Sequence, residues 1–293
     1  MFTEFEVSVV IPVYNGGRVI AATIECLLQQ SLPPLEIIVV DDGSTDNTKE
    51  IVTQFGSVVQ YVYQANRGPA AARNHGILLA KGTHVAFTDS DCLPARDWLW
   101  RLIQGFEPTT IAGVGGIVRS ADAGLIGEYV DAIRLFDPNE DETGCIPYLI
   151  TANACFQRAI LLEAGLFNEH FTKPGGEEPE LCFRIRKLGY AFRRIEDALV
   201  LHHHRQTMRS FIKSLANYGE GGFLFVQISG ENRQPNAGRV WLRELVALRS
   251  CFTRLRRYRL RFNLSKAAFF SFMDYARRVA YAYGYWRGAR NAA

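Results

Sequence analysis

Four short apolar runs, each rich in Val and Ile and each stopped by a polar cluster, constrain the fold of this chain more than any other feature. Residues 7–13, 36–40, 58–63 and 84–87 are too short for helices and apolar enough for strands buried on both faces. Helical spacing fills the gaps between them. Ile20, Ile24, Leu27 and Leu28 recur on one face until Pro33 and Pro34 stop the pattern. Asp46 caps a segment carrying Ile51, Val52 and Phe55, and Pro69 opens a helix running through Arg73 to Leu79. Strand and helix alternating four times predict an α/β fold, a Rossmann-like, mostly parallel doubly wound sheet with right-handed crossovers.

In such a sheet the carboxyl ends of the strands share one edge, and ligands bind there. Tyr14/Asn15, Asp41/Asp42, Asn66/Arg67 and Asp89/Asp91 end the four runs, so four clusters distant in sequence should meet on one rim. The turn Thr88-Asp89-Ser90-Asp91 is the most specific of them. Two hard carboxylates suit Mg²⁺ or Mn²⁺, and such a cation suits a diphosphate whose charge needs neutralising. Asp and Ser are also ordinary turn formers, because their side chains bond nearby backbone N–H groups. Neither GxGxxG nor GxxxxGK[ST] follows the first run, so backbone amides of a glycine loop are not available to a diphosphate.

Charge is unevenly placed. From Gln206 onward there are sixteen Lys/Arg against four Asp/Glu, which leaves the first 205 residues acidic although the net charge is only +3. The six cysteines contain no CxxC pair and predict neither a zinc ribbon nor a disulfide framework, as expected of a reduced, cytoplasmic protein. The first residues lack the pattern of a signal peptide, and no apolar run approaches the roughly 20 residues needed to cross a bilayer.

Several ordered blocks resemble family 2 glycosyltransferases of the inverting type, with the nucleotide-sugar-binding GT-A fold. They are Val10-Ile11-Pro12-Val13-Tyr14-Asn15, Val39-Val40-Asp41-Asp42-Gly43-Ser44-Thr45-Asp46, Asn66-Arg67-Gly68-Pro69-Ala70-Ala71-Ala72-Arg73-Asn74-His75-Gly76 and Asp89-Ser90-Asp91. The resemblance covers the first 205 positions. It implies that Pro12 and Tyr14 line the nucleotide site with Asp41, that Asp42 contacts the base and that Arg73 lies near the phosphates. Asp91 is then the principal metal-contacting carboxylate, assisted by Asp89, with Ser90 between them beside the donor. Read singly, Pro12 and Tyr14 are also turn and packing residues, Asp41 and Asp42 a helix approach, and Arg73 a solvated helix charge.

Beyond the Asp-Ser-Asp turn, Trp98, Leu99, Leu102, Ile103 and Phe106 form a helical face and residues 111–118 a glycine-rich strand. Residues 121–144 show no clear period, and the acidic run 137–142 reads either as an exposed loop beside an acceptor site or as a solvated linker. Residues 148–156 resemble the family's strand beneath the acceptor. Residues 165–169 match the turn that follows the next helix, with Asn168 where Asp is commoner. Glu177-Glu178-Pro179-Glu180-Leu181 opens a helix in which Leu181, Ile185 and Leu188 share a face and Glu180 pairs with Arg184. Acids in a helix's first turn are favoured by the macrodipole alone. The resemblance assigns the catalytic base to this place, with Glu178 where Asp is usual and Glu177 as the alternative. Residues 198–201 read as a last strand ending in His202-His203-His204, and the resemblance favours His202 for contact with metal or phosphate.

The remaining residues look helical over 210–222, 240–260 and 267–286, with a polar linker at 230–238. Aromatic residues interleaved with Arg suit either peripheral contact with an anionic membrane or packing against protein. Nucleic acid is not expected as a partner, since no reader motif accompanies the charge. Self-association into a homo-oligomer is left open.

The expected organisation is a catalytic domain at 1–205, with a donor half at 1–118 and an acceptor half at 119–205, followed by a basic helical extension at 206–293. The expected activity is metal-dependent inverting transfer of a sugar from a nucleotide-diphosphate sugar to a hydroxyl of a polysaccharide or lipid-linked glycan. Two alternatives remain. A sugar-nucleotide-forming nucleotidyltransferase should carry a basic glycine-rich loop after strand one, of which Tyr14-Asn15-Gly16-Gly17-Arg18 is a poor version. A nucleotide- or glycan-binding module that has lost catalysis is hinted at only by the atypical Glu178.

Overall fold

The computed structural model describes residues 5–107, 110–203, 207–230 and 249–292, the last stretch with side chains from Phe252 onward. These residues form two compact units. The first comprises residues up to 122, 134–172 and 177–203, and the second 123–133, 173–176 and 204–293.

The first unit is built on eight strands: β1 (Val7–Val13), β2 (Glu36–Asp42), β3 (Val59–Gln64), β4 (His84–Phe87), β5 (Cys92–Pro94), β6 (Ile111–Ser120), β7 (Ala154–Gln157) and β8 (Ala191–His202). Their order across the sheet is β3-β2-β1-β4-β7-β6-β8-β5. β1 pairs in parallel with β2 on one side and β4 on the other, and β2 pairs in parallel with β3. The chain thus winds outward from β1 in both directions. In doubly wound sheets such a reversal is where ligands bind, at the carboxyl ends of the strands, here β1 and β4, which lead into Tyr14 and Asp89. β7 is antiparallel to both β4 and β6, and β5 is antiparallel to β8, so the sheet is mixed beyond β4.

The period of two along β1 divides the core into two layers. Val9, Ile11 and Val13 pack with Ile20, Ile24 and Leu27 of α1 (Ile20–Leu28), Val52 of α2 (Thr48–Thr53), and Trp98 and Leu102 of α4 (Trp98–Ile103). Val10 faces the opposite way, with Ala70, Ala72 and Ile77 of α3 (Pro69–Leu79), Leu161 of α6 (Arg158–Glu163), and Leu181 and Ile185 of α7 (Glu177–Lys187). Glu180 and Arg184 pair as their spacing predicts, while Leu188 lies outside this face and is exposed.

α3 lies unusually close to the sheet. A Cβ at Gly76 would stand 2.3 Å from Val10 Cγ1, so only glycine lets the helix settle there. Small Ala70, Ala71 and Ala72 in the preceding turns allow the same approach.

The stretch without clear period contains a helix, α5 (Leu125–Ile133), whose Tyr129 and Val130 are buried. The acidic run beyond it is only partly solvated. The Asp137 side chain is 1% exposed and accepts from Arg119 and Arg134 at 2.9 Å, while Arg194 pairs with Glu140 at 2.9 Å. β8 begins seven residues before the expected strand, because Arg193, Arg194, Glu196 and Asp197 conceal its first half.

The second unit joins α5 to α8 (Met208–Ser229), α9 (Arg249–Arg259) and α10 (Leu264–Asn291). α8 is longer than its sequence pattern, ending at Gly230 in the left-handed conformation. α8 and α10 touch backbone to backbone. A Cβ at Gly219 would lie 2.0 Å from Tyr281 O, and one at Gly284 1.8 Å from Ala216 O. Asp274 accepts from Tyr129 at 2.8 Å and from Tyr258 at 3.1 Å, tying α5 and α9 to α10. Most of the linker at 230–238 and the first part of the helix expected at 240–260 lie outside the described residues.

Candidate active site

The loops after β1 and β2 are zipped together by short polar side chains. Asn15 Oδ1 accepts from Thr45 N at 2.8 Å, Asn15 N donates to Ser44 Oγ at 2.8 Å, and Gly16 N donates to Thr48 Oγ1 at 2.9 Å. Tyr14 remains 55% exposed at the top of this seam, and Pro12 is half-buried within β1. The two aspartates ending β2 are buried and already employed. Asp41 accepts from Ser44 N at 2.8 Å and Tyr61 OH at 2.7 Å. Asp42 accepts from Gln64 Nε2, Arg67 N and Gly68 N at 2.8, 2.9 and 2.8 Å, fixing the approach to α3.

The Asp-Ser-Asp turn is held from three sides. Thr23 Oγ1 donates to Ser90 O at 2.9 Å, Cys92 N donates to Asp89 O at 3.1 Å, and His203 N donates to Asp91 O at 2.9 Å. Ser90 is half-buried in the middle of the turn. Because β5 pairs antiparallel with β8, Cys92 stands opposite His202 and brings the imidazole to the turn. His202 Nε2 lies 3.1 Å from Asp91 Oδ1, and the Phe136 ring meets the imidazole edge-on with centroids 5.8 Å apart.

Ligand-type atoms of Asp89, Asp91, Cys92 and His202 lie within 4.8 Å of one another. The Cys92 thiol is fully buried and pushed well up, first by burial and then by the charges of Asp89 and Asp91, so it stays protonated. The donor set that fits a cation is therefore two carboxylates and an imidazole, suited to a hard divalent ion.

Arg73 connects this turn to the glutamate pair. It is buried, with Nη2 at 3.3 Å from Asp89 Oδ1 and Nη1 at 3.1 Å from Glu177 Oε1, above the Phe167 ring at 5.8 Å. Burial opposes its charge, but Asp89, Glu177 and Glu178 outweigh that cost and hold it cationic. Its Nε is buried without a hydrogen-bond partner.

Glu177 and Glu178 are neighbours in sequence with different environments. Glu177 is 1% exposed and ion-paired with Arg73. Glu178 is half-buried, and its Oε1 accepts from Thr151 N at 2.7 Å and Thr151 Oγ1 at 2.5 Å. Burial, followed by the charge of Glu177, pushes the Glu178 carboxyl up to about 7 against the pull of Arg73 and Thr151. Thr151 is fixed in turn by the short 3₁₀ turn Thr151–Asn153. Asn153 accepts from Trp98 Nε1 at 2.7 Å and donates to Ile117 O and Ala198 O at 3.0 and 2.8 Å, anchoring that turn to β6 and β8.

The structure thus brings Asp89, Arg73, Glu177 and Glu178 into one connected line and sets Asp91 against His202. The hydrogen bonds of Asp41 and Asp42 run instead to the loops around β2 and β3. Thr151, Asn153, Cys92 and Phe136 belong to the same neighbourhood but were not among the sequence candidates. Thr, Asn and Cys carry no periodic signal, and only their position beside β7 and β8 gives them a role.

The model of glycosyl transferase family 2 matches residues 8–164. A pre-mycofactocin glycosyltransferase of Mycobacterium tuberculosis is 32% identical over 223 residues, covering 73% of this chain and 46% of that protein. The glycosyltransferase AglE of Haloferax volcanii is 28% identical over 254 residues, covering 84% of this chain and 77% of its own. The chain spans about half the length of the first of these relatives. Among solved structures, the mannosyltransferase PcManGT from Pyrobaculum calidifontis, in complex with GDP-Man and Mn²⁺, superposes with a TM-score of 0.68 at 21% identity. That match covers 99% of this chain and 88% of the other, and it bears out the GT-A fold expected from the sequence. With more than half of its length matched by the family model, the chain belongs to glycosyl transferase family 2.

Proposed function

We propose that this protein transfers a sugar from a nucleoside-diphosphate sugar to a hydroxyl of a polysaccharide or lipid-linked glycan, with inversion at the anomeric carbon. The observation that carries the reading is the line Glu178–Glu177–Arg73–Asp89. It couples a carboxyl poised near neutrality to a cation-type turn through one buried guanidinium. The PcManGT complex holds a nucleotide sugar and Mn²⁺ on the same fold, which supports the donor class.

Glu178 is the general base. It takes the acceptor hydroxyl's proton as that oxygen bonds to the anomeric carbon, while the bond from that carbon to the diphosphate oxygen breaks. Attack opposite the leaving group inverts the configuration in a single displacement, so no enzyme nucleophile is needed. Thr151 holds Glu178 in its rotamer, and Arg73 holds Glu177 beside it. Burial first, and then the charge of Glu177, raises Glu178's proton affinity. Asp89, Asp91 and His202 would hold a divalent cation, Mn²⁺ or Mg²⁺, which supplies charge neutralisation for the departing nucleoside diphosphate. Arg73 adds a fixed positive charge at the same turn. Tyr14 and Pro12 line the nucleotide end with Ser90. Asp41 and Asp42 hold the loops around the base, and Asp42 takes the base itself by exchanging one of its present donors.

The test is a panel of nucleotide sugars with product configuration read by NMR. Transfer with inverted configuration, abolished in Glu178→Gln and only weakened in Glu177→Gln, is the expected result. Retained configuration, or turnover that survives Glu178→Gln, would sink the base assignment.

A further inference from the structure

The helical unit carries a surface that the transfer chemistry does not use. Between Arg249 and Met273 the sequence has seven Lys/Arg and no Asp/Glu. Lys266 is paired with Glu128 at 2.6 Å and Arg254 approaches Asp274 at 3.9 Å. Arg256, Arg257, Arg259 and Arg261 are exposed along α9 and the turn that follows it. A run of this kind on a solvated helix would ordinarily alternate with acids.

Large apolar side chains stand among these arginines. Phe252 is 73% exposed, Leu260 86% and Leu264 57%. On a helix Phe252, Arg256 and Arg259 share one face, and Leu260 and Leu264 flank the turn into α10. The turn itself is well made. Phe262 N donates to Tyr258 O at 2.9 Å, and Asn263 Oδ1 caps α10 by accepting from Lys266 N at 3.0 Å. The apolar residues that serve packing are different ones. Phe262 and Tyr258 lie against Phe270 at 4.9 and 5.5 Å. Phe252, Leu260 and Leu264 are therefore surplus to the core, held outward by an ordered backbone.

We propose that the α9–α10 turn is a membrane-docking surface, with Phe252, Leu260 and Leu264 entering the headgroup boundary of an anionic bilayer while the four arginines bind its phosphates. Cationic charge fixes the sign of the partner, and protruding leucines and phenylalanine select a bilayer over a nucleic acid, whose backbone offers them nothing apolar. No described helix is long and apolar enough to cross the membrane, so the contact is interfacial. Since α9 and α10 continue the same chain as the transferase unit, docking would hold the sugar transfer at a lipid surface.

The test is sedimentation of the full-length protein with sucrose-loaded vesicles of phosphatidylglycerol mixed with phosphatidylcholine, against phosphatidylcholine alone. Binding to the anionic vesicles only, weakened by salt, is expected. Arg256→Gln, Arg257→Gln and Arg259→Gln together should lower the partition coefficient roughly a hundredfold. Leu260→Ser with Leu264→Ser should lower it at least about tenfold at unchanged net charge. Circular dichroism and the melting temperature confirm that each variant is folded. Equal binding to neutral vesicles, failure to bind anionic ones at low salt, or a leucine variant that binds vesicles as the parent does would overturn the proposal. So would tighter binding of duplex DNA than of vesicles. None of these outcomes depends on the donor, so they stand or fall separately from the catalytic reading.

Discussion

Glu177 and Glu178 occupy consecutive positions at the start of α7, yet their surroundings differ. Glu177 faces Arg73, whereas Glu178 faces Thr151 and feels Glu177 as a like charge. Between the ordinary value of 4.5 and about 7 the folded protein keeps a proton on Glu178 that the unfolded chain has lost. The stability this group contributes is present below that window and is lost as pH rises through it. Chemical denaturation at several pH values should therefore show Glu178→Gln gaining on the parent between about pH 5 and 7 and level above. Catalysis runs the other way, because a base must be ionised. Turnover should rise with pH along a limb near 7, the value that burial and Glu177 give Glu178. Thr151→Val removes the hydroxyl donor that favours the ionised form. It should move that limb upward and reduce kcat by roughly tenfold, with KM for the donor little changed. A pH profile that stays put would leave Thr151 a packing residue. At this scale Asp89 and Asp91 stood out as paired acids at the end of an apolar strand, whereas Arg73, Glu177 and Glu178 were singled out only by the family resemblance. Thr151 was not, since a threonine after Leu149-Ile150 looks like any strand residue until Glu178 is seen against it.

Among the elements, α3 shows how packing delivers chemistry. The helix carries Arg73 into the site because Gly76 permits contact with Val10, a β-branched residue with little rotamer freedom to yield. Gly76→Ala should cost about 1–3 kcal/mol in chemical denaturation, by overpacking against β1. It should also weaken donor turnover, as Arg73 shifts with the helix. A change confined to stability would mean that the helix absorbs the methyl without moving its first turns. The strand–helix alternation through β4 was readable because each buried parallel strand is a continuous apolar run. Strand direction beyond β4 was not, since an antiparallel β7 has the same composition as a parallel one. α5 escaped notice because its apolar face is short and interrupted by Gly127, Asp131 and Ala132.

Over the whole molecule, the chain crosses between the two compact units several times. α5 belongs by its contacts with the helical unit, Tyr129 lying against Phe211 and Phe270 at 6.2 and 5.6 Å. A chain cut before Met208 would expose that face of α5 and leave Tyr129 without Asp274. It should bind a hydrophobic dye and aggregate, as light scattering would show, whereas a well-behaved fragment would mean that α5 refolds onto other partners. The acidic first 205 residues and the basic remainder were evident in the sequence. How the helical segments interleave was not, because glycine-mediated contacts such as Gly219 with Tyr281 leave no periodic mark.

The most direct test of the donor site, on which the proposed transfer depends, is calorimetric titration of UDP, GDP, CDP and dTDP with and without Mn²⁺, against the parent protein, Asp91→Asn and Glu178→Gln. One nucleotide should bind only with the metal, Asp91→Asn should lose this binding, and Glu178→Gln should keep it. Binding that is indifferent both to Mn²⁺ and to Asp91→Asn would contradict a metal-dependent donor site at this turn.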